Sequence, residues 1–184
     1  MEIVQQVSDQ IAILFHHKKA KEVTKTEASK ILLRIVDLLK ERIVENEEVC
    51  LKLLKQVTTE VVKVKTDSCV NLLKVMKSLI HGLQDFGDIC NVMNIFLKFT
   101  GDQNLKIISI SYSGLKTLLN HCPFELLKKG KFKLIFDNIL HKLKEHDADR
   151  NVKSSVVKCL GPIFEKIITD LSDDDKKALL QSVY

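Results

Sequence analysis

Apolar residues recur at spacings of three and four along almost the whole chain, and only short polar clusters interrupt them. With two Pro and six Gly in 184 residues there are few helix breakers. A helical period that keeps resetting without breakers predicts many helices joined by short turns. Ile3, Val4, Val7, Ile11, Leu14 and Phe15 mark a first helix over 2–15, followed by a basic, polar break over 16–25. Thr26 followed by Ser29 is a start signal for a second helix, whose Ile31, Leu32, Ile35, Leu38, Leu39 and Arg42 continue one stripe. Glu45 to Glu48 then place acids in the first turn of a third helix reaching about Val64, where the helix dipole favours them.

Thr66 and Asp67 open a fourth helix through Val70, Leu73, Met76, Lys77 and Ile80, closed by His81 and Gly82; a fifth spans 86–99. After a turn at 101–104, Leu105, Ile108, Ser109, Tyr112, Leu115, Leu118 and Leu119 mark a sixth, ended by Pro123. Gly130 splits 124–144 into a short helix and a longer one from about Lys131. Asp147, Ala148 and Asp149 form a turn, Val152 to Ile168 a further helix, and Ser172 with Asp173, Asp174 and Asp175 caps a last one. Residues 107–112 come nearest to a period of two, but a strand alone among helices has no partner for its backbone, so the segment reads as helix.

Taken in pairs, the helices recur every 40 to 47 residues or so, the period of HEAT and armadillo arrays. The second helix of each pair opens near Thr26, Asp67, Asp102 and Asp149. Asp102, Leu105, Lys106, Ser109 and Gly114 match Asp149, Val152, Lys153, Val156 and Gly161 at an offset of about 47, while the earlier two copies are much less alike. An acid before the helix caps free amides, and the apolar and basic pair after it sets one residue inward and one outward. The expectation is therefore all-α: a right-handed α-solenoid of antiparallel, HEAT/armadillo-like helix pairs, about four and a half repeats. It would form one domain over 1–184, a segment of a longer solenoid.

The best match to this pattern runs from Asp147 as DADRNVKSSVVKCLGPI and resembles a HEAT repeat. More narrowly, Leu143, Lys144, Asp147, Asp149, Val152, Lys153, Cys159, Gly161 and Ile163 resemble a repeat of the cullin-associated, neddylation-dissociated exchange factors. That resemblance covers about a fifth of the chain, and Asp, Val, Lys and Gly at these positions belong partly to the general HEAT pattern. It implies a non-enzymatic scaffold that binds a cullin and RING complex of a ubiquitin ligase. A karyopherin-type transport or other HEAT scaffold segment and a basic, nucleic-acid-binding solenoid are the other readings.

The charge is uneven. Lys and Arg number 29 against 24 Asp and Glu, a formal +5, and residues 128–158 alone carry nine basic and four acidic side chains, so the remainder sums to zero. Of the cations 26 are Lys and three are Arg, at 34, 42 and 150. Planar recognition of phosphate and base edges favours Arg, so a dedicated nucleic-acid reader is disfavoured. On a solenoid the second helices line a binding wall, which makes Lys106, Lys116, Lys153 and Lys158 the candidate contacts for an acidic protein partner. The bland reading is a solvated lysine face. Asp102 and Asp149 read as helix caps.

Catalytic and metal chemistry is not expected, and neither is a cofactor. Adjacent His16 and His17 point about 100 degrees apart on a helix, and His141 with His146 lacks the HExxH spacing. His121 and Cys122 precede Pro123 with no orienting acid nearby in sequence. Asp173 to Asp175 lacks the alternating ligands and Gly of a calcium loop, and no GxGxxG or GxxxxGK[ST] occurs. Met76 and Met93 read as gap fillers, Cys159 and Gly161 as close-packing positions. Five Cys, at least 19 residues apart and odd in number, suit a reducing compartment. With no signal-peptide pattern and no run near the roughly 18 apolar residues of a membrane span, the expected location is cytosol or nucleus.

Overall fold

The computed structural model describes residues 6, 9, 10, 13, 15, 17, 20–123, 132–145, 149–167, 172–174 and 177. Among them every regular element is a helix and no strand occurs. The chain forms two compact units, Met1–Asp88 and Ile89–Tyr184.

The first unit is built on α1 (Glu22–Glu45), α2 (Glu47–Val61) and α3 (Thr66–Leu79), with a 3-10 turn over Ile80–Gly82. Helix α1 starts at Glu22, four residues before the expected Thr26, so the polar break is shorter than the sequence predicts. The Ser29 hydroxyl donates to the Thr26 carbonyl (2.7 Å) inside the helix and caps nothing. The buried stripe is also rotated: Ala28, Ser29, Leu32, Val36 and Ile43 face inward, while Ile31 and Leu38 are 54% and 76% exposed. The second boundary is set by Asn46, whose side chain accepts from the Val49 amide (3.2 Å) as N-cap of α2. Glu45 therefore ends α1, and only Glu47 and Glu48 lie in the first turn of α2.

Helix α3 packs against both α1 and α2. Its bonds to α1 show how. The Lys65 amide donates to Glu22, Thr26 meets Ser68 (3.1 Å), Asn71 donates to Ser29 (2.9 Å), and Ser78 donates to Asp37 (3.5 Å). The partners advance together along both helices at separations of 43, 42, 42 and 41 residues, so α1 and α3 run parallel, in register. Asp9, itself in helical conformation, likewise accepts from Lys52 and Gln56 on α2, at separations of 43 and 47. Under the 3-10 turn, Gly82 approaches so closely that a Cβ there would lie 2.6 Å from the Cys50 sulfur.

The second unit contains α4 (Phe86–Phe99, which begins just before the unit boundary), α5 (Leu105–His121), α6 (Phe132–Lys144), α7 (Arg150–Val157) and α8 (Leu160–Ile167). Asp85 starts α4 by accepting from the Gly87 and Asp88 amides. Helix α5 stops at Cys122, held extended (φ −72, ψ 137) by the following Pro123. The single helix expected over 152–168 is broken at Lys158 and Cys159. Pro162 explains the break: it has no amide to donate to the Lys158 carbonyl, and its ring would strike that carbonyl in a continuous helix. Gly161 is exposed, with nothing within 4 Å of a Cβ built there, so it is not the close-packing position its match to Gly114 predicts. Gly114 does pack closely, its Cα lying under the Phe96 ring of α4. The helix expected over 2–15 falls mostly outside the described residues, as do the short helix expected before Gly130, the turn at Asp147 and Ala148, and most of the last helix.

Candidate functional site

The site follows from two capped helices laid side by side. Asp102 Oδ1 accepts from the Asn104 amide (2.7 Å), and Asn104 in turn is the N-cap of α5, accepting from Lys106 N (2.9 Å). Asp149 is itself the N-cap of α7 and accepts from the amides of Asn151 (2.8 Å) and Val152 (3.2 Å). Both acids thus sit at helix N-termini, where the dipole favours negative charge. Helix α7 packs on α5. Across the seam the Ser109 and Ser155 hydroxyls lie 2.7 Å apart, and the Cys159 thiol donates to the Tyr112 carbonyl at 3.3 Å. These contacts span 46 and 47 residues and advance in the same direction, so α5 and α7 are also parallel. Ser155 also donates to the Asn151 carbonyl (3.0 Å), which leaves Ser109 as donor in the serine pair.

Ser109 and Ser155 mark the sides on which the two helices meet, and at 100 degrees per residue they fix where the four lysines stand. Lys106 lies about 60 degrees round α5 from Ser109 and Lys116 about 20 degrees. Lys158 lies about 60 degrees round α7 from Ser155, whereas Lys153 is about 160 degrees away, on the far flank. Lys116 is placed beside the seam by a second observation, because its charge acts on the Cys159 thiol. Lys106 and Lys158 are exposed; Lys116 and Lys153 are half-buried. The structure therefore brings Lys106, Lys116 and Lys158 to one seam and sets Lys153 apart. Neither α5 nor α7 contains an Asp or Glu. By contrast Lys142 of α6 is 2.7 Å from Glu145, an internal ion pair.

Behind the seam runs a buried polar chain that the sequence did not announce. The Tyr112 hydroxyl, on a side chain with 0% exposure, donates to Asn138 Oδ1 (2.7 Å), and Asn138 Nδ2 donates to Thr100 Oγ1 (3.0 Å). Thr100 closes the chain by donating to the Leu97 carbonyl (2.7 Å). The residue types were readable; their meeting was not, because Thr100, Tyr112 and Asn138 lie on separate elements with no shared period.

The cysteines are placed for packing. Burial pushes the Cys50 thiol up to about 11, with the charges of Asp88 and Glu47 adding to it. Burial also pushes the Cys159 thiol up to about 12 against the opposing pull of Lys116. Such thiols stay protonated and unreactive at neutral pH. Their folded pKa values lie above the ordinary value of 9.0, so their stabilising contribution is complete below about pH 9 and is lost as pH rises towards 11 and 12. Thermal melts are expected to show a falling midpoint over that window, and Cys50→Ser with Cys159→Ser to flatten the fall. A thiol reagent at neutral pH is expected to label half-buried Cys90 before either of them.

Among the described residues no cluster of three or more His, Cys, Asp or Glu could hold a metal ion. Among them, too, no helix is long and apolar enough to cross a membrane. No protein-family model matches the sequence, and no curated protein does. Among solved structures the fold is similar to the crystal structure of an engineered protein, a Northeast Structural Genomics Consortium target, with a TM-score of 0.62 and 12% identity over 97% of this chain and 68% of that one. At that identity the likeness concerns the fold alone. What stands is a protein that is all-helical among its described residues, of a general kind that suits a helical scaffold.

Proposed function

We propose that the chain is a non-enzymatic, HEAT-type scaffold that binds a protein partner through the basic face of α5 and α7. The observation that carries this reading is the stacking of alternate helices in parallel at separations of 41 to 47 residues, found in α1 with α3 and again in α5 with α7. That spacing is the mark of a repeat array in which each helix pair buries its apolar face on the next. Stacked pairs leave one row of helices open to a partner, and on α5 and α7 that row is basic. The resemblance of residues 143–163 to the cullin-associated, neddylation-dissociated exchange factors narrows the partner to a cullin and RING complex, with the protein acting in cytosol or nucleus.

The test is co-elution of the purified chain with a purified cullin and RING complex in size-exclusion chromatography. A shared peak, lost on combining Lys106→Glu with Lys116→Glu, is the expected result. Separate peaks would remove the exchange-factor reading, and capture of nuclear transport cargo in its place would favour a karyopherin-type segment.

A further inference from the structure

We infer that the α5–α7 seam receives an acidic, extended protein segment, gripped by Lys106, Lys116 and Lys158 and not by Lys153. The inference deepens the scaffold reading and rests on it. Its basis is charge complementarity on a defined line. Measured from the serine pair at 1.5 Å per residue, Lys106 stands about 4.5 Å before it, Lys158 about 4.5 Å beyond and Lys116 about 10 Å beyond. Three cations are thus strung over about 15 Å beside one seam, a length that about five residues of extended chain would span. Neither helix supplies a carboxylate to neutralise them. The acids at their N-termini, Asp102 and Asp149, already accept backbone amides.

The floor of the seam fits a peptide better than a phosphate chain. Ser109 spends its proton on Ser155, and Ser155 spends its own on the Asn151 carbonyl, so neither hydroxyl is left to donate to phosphate oxygens. Neither α5 nor α7 places an Arg beside the seam: Arg150, the Arg of α7, is about 140 degrees round from Ser155. The aromatic ring of α5, Tyr112, is wholly buried and offers no face on which a base would stack. Exposed Leu105, 51% accessible and about 40 degrees round α5 from Ser109, adds an apolar contact that the aliphatic side chains of such a segment would use.

The experiment is fluorescence anisotropy of the full chain with a labelled twelve-residue peptide of alternating Glu and Leu, beside a single-stranded oligonucleotide of matched charge. Lys106→Glu, Lys116→Glu and Lys158→Glu are each expected to weaken peptide binding about five-fold, and Lys153→Glu less than about two-fold. Circular dichroism of each variant checks that the helices persist. Equal loss from Lys153→Glu, no binding of the peptide, or tighter binding of the oligonucleotide would each overturn the inference. Retained capture of a cullin and RING complex by the seam variants would sink the seam while leaving the scaffold reading in place. Loss of that capture from the wild-type chain would sink the reading itself.

Discussion

Gly114→Val is expected to lower the stability of the second unit by about 3 kcal/mol, at the upper end of the cost of forcing extra atoms into a packed core. Glycine inside a helix normally costs about 1 kcal/mol relative to alanine, so its place in the middle of α5 needs a cause. The cause is Phe96, whose ring covers the Gly114 Cα and is itself 0% exposed, leaving nowhere for it to swing. Urea denaturation should show a lower midpoint with an unchanged slope. Phe96→Leu combined with Gly114→Ala should recover more stability than the sum of the two single changes, since one makes room for the other. A neutral Gly114→Val would mean that α4 and α5 do not approach at this point.

Asn138→Leu is expected to cost about 1–3 kcal/mol, because it takes from the buried Tyr112 hydroxyl the oxygen it donates to, while Thr100 keeps its bond to the Leu97 carbonyl. Tyr112→Phe removes one donor, keeps the ring, and should cost about 1–2 kcal/mol. The pair is informative together. If the polar chain behaves as a unit, Tyr112→Phe in the Asn138→Leu background should cost almost nothing further, whereas independent contributions would add. Guanidinium or urea melts of the two single variants and the double variant read the difference directly.

Helix existence and most boundaries were legible because they depend on neighbours in sequence. Pro123 stops α5, residues 86–99 form α4, and Phe132–Lys144 is helical as its apolar period implies. Errors arose where a tertiary partner decides. Ile31 and Leu38 share the helical period of the core residues, yet α2 and α3 cover the neighbouring face of α1, so the stripe turned towards Leu32, Val36 and Ile43. Pro162 was visible in the sequence, and its effect on the Lys158 carbonyl could have located the break between α7 and α8. The offset of 47 found the α7 cap, Asp149, but not that of α5, where Asn104 caps the helix and Asp102 only braces the turn before it; the contacts across the seam keep the offset to within one residue. What it could not give was the turn of each helix about its own axis. That rotation, fixed by Ser109 on Ser155 and by Cys159 under Tyr112, is what parts Lys153 from the other three lysines.

The parallel stacking of alternate helices also bears on how the chain reaches its fold. Each of the inter-helix hydrogen bonds that lock α1 to α3 and α5 to α7 closes a loop of 41 to 47 residues. Loop-closure entropy grows only with the logarithm of length, so each of these closures costs about the same as the last. On the ribosome the first unit would have all its ladder partners once Ser78 has emerged, and α1 would need to shelter its apolar face for only the time taken to make α2 and α3.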